Sequence, residues 1–337
     1  MSTVPVYVGL DYHQAAVQVC VLDGRGRVLA NRSCGNDSRM IDEVVRPHGE
    51  SVQAAIEACC GAADLAEELI QGFGWSVDLA HPGFVNRMKQ NPDKTDFGDA
   101  HLLADLERVG YLPRVWLAPE EVRELRRLVR YRQQLADERR NVKLRIGAAL
   151  REQRVARPEA NPWTKAWRYW LEREAPLSSQ SRWIIERQLH RLDQLAQEIV
   201  EVENRLEEMT AADPIVGKLR QQSGIGLVTA VTMRAEIGRF DRFRSGKQVA
   251  RFCGLSPRNA SSGERQADAG LIKASNARLR AVLIEASHRL MRTPGPWQEL
   301  GRRLRSRGKP GSVVAAAVAN RWVRWLYHQM QPAVLAA

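Results

Sequence analysis

Residues 6–22 read VYVGLDYHQAAVQVCVL, and the reading of the fold starts from them. Val6, Val8 and Leu10 alternate with Tyr7 and Gly9, and Val17, Val19 and Val21 repeat the period of two before the Asp23-Gly24-Arg25-Gly26 turn. The stretch therefore predicts two β-strands. Asp11 ends the first apolar run. A lone carboxylate on a largely buried strand costs several kcal/mol to desolvate, and a divalent cation would offset that cost. An aspartate capping a strand-to-turn bend fits the same residues, so the rest of the chain has to decide.

Outward from this hairpin, Val28-Leu29-Ala30 predicts a third strand, residues 38–45 a helix, and Val52 to Ile56 a fourth strand ending on Glu57. A helix over residues 62–72 and a fifth strand over 76–80 follow, with His81-Pro82-Gly83 as a loop. Three antiparallel strands followed by alternating helix and strand is the order of the ribonuclease H-like fold, whose first and fourth strands lie side by side. That adjacency puts Asp11 and Glu57 at neighbouring strand ends. Beyond Asp93-Lys94 comes TDFGDAHLLADL, residues 95–106, a helical pattern with Thr95 or Asp96 near its cap. Asp96 and Asp99 stand three apart and share one face of the first turn. Two such charges repel, and the helix N-terminus offsets this by only about 0.3–1 kcal/mol. Acids in a first turn also serve as plain caps. Taken with Asp11 and Glu57, however, they make a four-carboxylate set suited to Mg²⁺-assisted phosphodiester chemistry.

Charge divides the chain. Residues 1–110 hold 9 Lys+Arg and 16 Asp+Glu, a net −7, whereas residues 111–337 hold 42 and 23, a net +19. An acidic front on a basic body fits a carboxylate metal site joined to a polyanion-binding surface. The five cysteines form no C-x-x-C pair and have no His at ligand spacing, so they read as reduced core residues of a cytosolic protein. No basic-then-apolar leader opens the chain, and the longest apolar run, residues 313–319, is too short to cross a bilayer. A soluble protein with no membrane partner is expected.

Three domains are expected, at 1–112, 113–212 and 213–337. In the second, Leu128, Tyr131, Leu135, Val142 and Ala149, and then Leu192, Leu195, Ile199, Val202, Leu206 and Met209, fall at heptad-like spacings. They predict coiled-coil helices forming an antiparallel hairpin or pairing with a second subunit. Arg126, Arg127 and Arg130 lie among them as candidate nucleic-acid contacts. Trp163, Trp167, Tyr169 and Trp170, interleaved with Lys165 and Arg168, suit base stacking or a short amphipathic helix tucked against the hairpin. The third domain opens with SGIG, residues 223–226, between two helical patterns. This resembles a helix-hairpin-helix turn, in which the backbone at Gly224 and Gly226 can approach a phosphate. Residues 239–310 carry 17 Lys+Arg against 5 Asp+Glu, with Arg258 and Lys273 as further candidate contacts. In FCGLSPRNASSG, residues 252–263, Ser262 lies in an arginine-rich turn without a His. A serine needs an activating base or metal to be a nucleophile, and such a turn is ordinarily only a turn.

The ordered motifs VYVGLDYH (6–13), AIEAC (55–59), HPGFVNRMKQNPDKTDFGDAHLLADL (81–106), SGIG…ASSG (223–263) and GLIKASNARLRAVLIEA (270–286) resemble the DEDD transposases of insertion sequences. That family includes the Piv-type DNA invertases and the bridge-RNA-guided recombinases. The resemblance covers nearly the whole chain. It implies an α/β ribonuclease H-like (RuvC-like) domain with its four acids at Asp11, Glu57, Asp96 and Asp99, then coiled-coil helices. A mainly helical transposase domain follows, with its nucleophilic serine at Ser262. It further implies Mg²⁺, with Mn²⁺ as a substitute, and covalent phosphoserine chemistry on donor and target DNA. A structured bridge RNA as guide, a homodimer or dimer of dimers, and a bacterial cytoplasmic, nucleoid-associated setting complete the expectation. Two departures stand out: Cys59-Cys60 replaces a small Thr-Gly pair, and Ala260 stands where the family tends to have an aromatic. The alternatives are a RuvC-like hydrolytic nuclease of junction-resolving type and a non-catalytic nucleic-acid-binding scaffold.

Overall fold

The computed structural model describes residues 4–89, 95–156, 158–259, 268–272 and 275–331. The chain forms two compact units, Met1–Pro119 and Glu120–Ala337.

The first unit is built on strands β1 (Val6–Tyr12), β2 (Ala16–Leu22) and β3 (Val28–Gly35), helix α1 (Ser38–Val45), strand β4 (Val52–Glu57) and helix α2 (Ala62–Phe73). Strand β5 (Ser76–Ala80), helices α3 (Pro82–Met88) and α4 (Asp96–Arg108) and strand β6 (Arg114–Val115) complete it. The six strands run in the order β3-β2-β1-β4-β5-β6. β1, β2 and β3 are mutually antiparallel, whereas β4 pairs in parallel with β1 on one side and with β5 on the other. The expected adjacency of the first and fourth strands is therefore present, with Leu10 opposite Ile56.

Period-two alternation gives the sheet two different faces. Val6, Val8 and Leu10 of β1 point to one core together with Ile41, Val44 and Leu69 of α1 and α2. Cys20 and Leu22 of β2 pack from the other side with Ala100 and Ala104 of α4, and Ala55 of β4 joins Leu103 and Leu106 there. By alternation Gly9, Asp11 and Glu57 belong to this α4 face. Gly9 lets the helix come close: a Cβ there would run into the Ala100 carbonyl and stand 2.6 Å from the Ala104 nitrogen. Thr95 caps α4, its hydroxyl accepting from the Gly98 N–H.

Three expectations change here. β3 continues to Gly35 rather than stopping at Ala30, because it is an edge strand whose polar residues stay solvated while its backbone pairs with β2. The predicted loop at His81 is the start of α3, where Pro82 occupies the first turn and His81 accepts from the Gly83 N–H. Only Cys20 and Cys253 are buried thiols; Cys34 is partly covered, and Cys59 and Cys60 lie exposed in the β4–α2 connection.

The second unit is mostly helical: α5 (Glu120–Glu152), α6 (Lys165–Arg173), α7 (Ser179–Thr210), α8 (Pro214–Arg220), α9 (Leu227–Ile237) and α10 (Gly246–Phe252). A two-stranded ribbon of β7 (Pro257–Asn259) and β8 (Asp268–Leu271) precedes α11 (Ala277–Leu290), α12 (Pro296–Ser306) and α13 (Gly311–Gln329). α5 and α7 pack as an antiparallel hairpin, since Arg132 pairs with Glu203, Arg191 with Glu138, and Gln153 with Ser178. The α7 seam runs as expected through Leu192, Leu195, Ile199, Val202 and Leu206, extended upstream by Ile185 and Leu189. On α5 the buried line is Val122, Leu125, Val129, Leu135, Val142 and Ile146. Tyr131 and Met209, placed on the seam by spacing, are exposed. The tryptophan-rich segment folds as the amphipathic α6, which buries Trp167 and Leu171 in the hairpin core. Trp163 and Trp170 pack on Trp167 at 4.6 and 6.2 Å between centroids, and Arg168 is engaged by Glu172 and Asp193. Among the described residues no helix is long and apolar enough to cross a membrane.

Candidate active site

Three of the four expected carboxylates meet at one end of the sheet. Asp11 lies on the last turn of the pleat before β1 ends, its side chain 17% exposed. Because α4 lies across Gly9, the first turn of that helix overhangs the same strand end, bringing Asp96 and Asp99 close enough to act electrostatically on Asp11. Burial raises the Asp11 pKa above the ordinary carboxylate value; the opposing influence of His13 is outweighed, and Asp99 and Asp96 add to the rise. The Asp11 Oδ2 atom is buried and has no hydrogen-bond partner.

Glu57 arrives from β4, one step beyond the Leu10–Ile56 pair, so it is at the strand end beside Asp11 and on the same face. Both carboxylates act electrostatically on Cys59, whose pKa is raised first by the partial covering of its thiol and also by Glu57 and Asp11; the Ala62 N–H at the start of α2 opposes them.

Two side chains that sequence reasoning passed over complete the cluster. His13 Nε2 is 3.3 Å from Asp11 Oδ2 and 3.4 Å from Asp96 Oδ1. Lys89, at the end of α3, donates to Asp99 Oδ2 at 2.7 Å. The signal for His13 was its place two residues after Asp11, which keeps it on the same side of an extended chain. Nothing local marked Lys89. The overhanging helix turn is braced by Gln18, which faces Asp11 across the β1–β2 ladder. Its side chain donates to Asn31 Oδ1 at 2.7 Å, and Asn31 Nδ2 donates to the Phe97 carbonyl at 3.1 Å.

The donor set is suited to a divalent cation. One ligand atom each from Asp11, His13 and Asp96 lies within 4.8 Å of the others. A buried carboxylate oxygen with no well-formed hydrogen bond, beside an imidazole nitrogen and further carboxylates, is the environment that such an ion relieves.

Of the candidate residues in the second unit, Ser262 and Lys273 lie outside the described residues. The β7–β8 ribbon flanks the segment containing Ser262, and Arg258 is exposed on β7. Gly224 takes a left-handed φ of +80° in the turn before α9, and its carbonyl accepts from Arg289 at 2.9 Å, with the same guanidinium reaching Thr229. Gly226 is the N-cap of α9 without a side-chain cap. Arg126 and Arg130 turn inward: Arg126 donates to the Ala235 carbonyl at 3.0 Å, and Arg130 forms a two-pronged pair with buried Glu236 at 3.0 and 3.2 Å. Glu236 also accepts from Asn276, the N-cap of α11, at 2.7 Å. Arg127 pairs with Glu124 on the same helix.

A transposase family model of the DEDD IS110 type matches residues 8–154, and one described as transposase IS116/IS110/IS902 family matches residues 217–301. The chain belongs to the DEDD transposase family of insertion sequences. The insertion-sequence transposase is 27% identical over 331 residues to a probable family 20 transposase of Pseudomonas aeruginosa, covering 95% of each chain. It is 28% identical over 278 residues to the putative transposase y4qE of Sinorhizobium fredii, covering 75% of this chain and 68% of that one. The transposase for insertion sequence element IS1111A of Coxiella burnetii is 24% identical over 292 residues, covering 85% and 78%. The first family match spans Asp11, Glu57, Asp96 and Asp99, and the second spans the glycine turn and Ser262.

Proposed function

We propose that this transposase is a divalent-metal-dependent DNA recombinase whose first unit is ribonuclease H-like (RuvC-like), with Asp11, Glu57, Asp96 and Asp99 as the residues that hold the ion. The observation that carries the reading is the approach of α4 onto β1 at Gly9, which brings Asp96 and Asp99 near Asp11, whose buried Oδ2 makes no well-formed hydrogen bond and has the His13 imidazole at 3.3 Å. The strand order and the parallel β1–β4 pair support the fold assignment. When bound, Mg²⁺ or Mn²⁺ stabilises charge that builds on the phosphoryl oxygens.

In this proposal Ser262 is the nucleophile. Its oxygen bonds to phosphorus as its proton leaves, the bond from phosphorus to a deoxyribose oxygen breaks, and that oxygen takes up a proton. The phosphoserine conserves the bond for rejoining to a second strand. The basic body, net +19 over residues 111–337, supports binding of donor and target DNA and of a structured guide RNA. The division into a metal-binding domain (1–112), a coiled-coil domain (113–212) and a serine-bearing transposase domain (213–337), acting as a dimer or dimer of dimers, belongs to the same proposal.

The test is trapping of covalent protein–DNA adducts with Mg²⁺ present. Ser262→Ala is expected to abolish the adduct, and Asp11→Asn to abolish it as well. Cleavage that survives Ser262→Ala while Asp11→Asn loses it would instead identify hydrolysis by the acids alone. Sequencing of RNA copurified with the protein tests the guide: a discrete transcript is expected, and random fragments would remove that part.

A further inference from the structure

His13 closes the β1–β2 connection and is held on both sides. Its N–H donates to the Ala16 carbonyl at 3.0 Å, and its carbonyl accepts from Asn36 Nδ2 at 3.1 Å, with the Gln14 carbonyl accepting from the same amide at 3.2 Å. The imidazole therefore hangs from a fixed backbone. Its Nε2 is the point where the β1 acid and the α4 acid come together, 3.3 Å from Asp11 Oδ2 and 3.4 Å from Asp96 Oδ1.

Those separations can be weighed against two roles. As an imidazolium between two carboxylates, a half-exposed ring would contribute about 0–1 kcal/mol, and it would occupy the space a cation needs. As a ligand, it has a different standard to meet. Donors on adjacent corners of an octahedron, each about 2.1 Å from the ion, stand roughly 3.0 Å apart. Both His13 distances are within a few tenths of an ångström of that edge, and the Asp11 oxygen involved has no other hydrogen-bond partner. Lys89 meanwhile pairs with Asp99 Oδ2 at 2.7 Å.

We propose that His13 is a ligand of the same ion as Asp11 and Asp96, making the centre a mixed nitrogen and oxygen site that prefers Mn²⁺ to Mg²⁺. Imidazole nitrogen suits the first-row divalent ions, whereas Mg²⁺ is a hard cation that takes oxygen donors. The inference rests on the metal-site reading above and adds to it a ligand outside the four acids.

The experiment uses the full chain loaded with Mn²⁺ and pulsed electron paramagnetic resonance to detect nitrogen coupled to the ion. Wild-type protein should show ¹⁴N modulation. His13→Gln should lose it while still binding Mn²⁺, with affinity lower by at least about tenfold. His13→Asp, which exchanges nitrogen for oxygen, should narrow the ratio of Mn²⁺ to Mg²⁺ affinity measured by competition. Bound Mn²⁺ with no nitrogen modulation in the wild type, modulation that persists in His13→Gln, or an unchanged ratio in His13→Asp would each overturn the inference. Undiminished Mn²⁺ binding by Asp11→Asn would instead overturn the metal-site reading beneath it, so the two failures are distinguishable.

Discussion

Gly9 of β1 and Ala100 of α4 touch backbone to backbone, with no room for a side chain between them. That contact sets the height of the helix over the strand and so the position of Asp96 and Asp99 relative to Asp11. Gly9→Ala forces the helix away or strains both elements, at a cost of about 1–3 kcal/mol. Denaturant unfolding should show that loss, and calorimetric titration should show Mn²⁺ affinity falling with it. A Gly9→Ala variant with unchanged metal affinity would separate the helix contact from the site.

Glu236 has a structural task that bears on how the arginines of α5 are read. Its buried carboxylate joins Arg130 on α5 to Asn276 at the start of α11. Glu236→Ala removes the partner of the part-exposed Arg130 and the acceptor of Asn276, and should destabilise the second unit by about 1–3 kcal/mol. Correspondingly, Arg126→Ala should lower the unfolding midpoint and leave the salt slope of DNA binding nearly unchanged, a comparison made by urea melts beside binding isotherms.

Glu107 supplies a pH signature. Burial raises its pKa above the ordinary carboxylate value against the pull of Arg114, which donates to Oε1 at 2.7 Å. The folded chain then holds this proton more tightly than the unfolded chain does, so the contribution is fully present below the ordinary carboxylate pKa and is lost as pH rises through the raised value. Stability of the wild type should decline relative to Glu107→Gln from about pH 4 upward. Parallel curves for the two proteins in guanidinium titrations across that range would contradict this.

Nucleic-acid affinity should be steeply salt-dependent. With six to ten phosphate contacts, binding weakens by roughly 10³–10⁵ between 50 and 200 mM salt. Removing a true phosphate contact, for which exposed Arg258 is the clearest candidate, should flatten the slope by about one unit. Filter binding at four salt concentrations measures it.

The first hundred residues were legible because local signals agree there. Alternation at Val6, Val8 and Leu10, and Thr95 before Asp96, each specify an element without help from elsewhere. α3 escaped because His81-Pro82-Gly83 carries turn residues that here form a cap and a first helical turn. Tyr131 and Met209 fit a heptad count but not the seam, which α5 sets through Val129 and Leu135, since spacing alone does not fix the phase of a helix. His13 carried a local signal through its spacing from Asp11, but its approach to Asp96 and the pairing of Lys89 with Asp99 depend on where α3 and α4 lie against the sheet. The inward turn of Arg126 and Arg130 depends likewise on α9 and α11, more than a hundred residues away.

The two long arms of the second unit, 33 residues in α5 and 32 in α7, each extend about 50 Å, and their rungs tie Arg132 to Glu203 part-way along and Gln153 to Ser178 at the end where the arms are joined. Such a pair behaves as a ruler. One extra residue in a single arm would swing every later side chain by about 100° and break all rungs beyond it, whereas seven residues added to both arms would lengthen the ruler by about 10 Å and keep them. Tolerance to insertion and deletion along this stretch should therefore come in matched steps, with nothing viable in between.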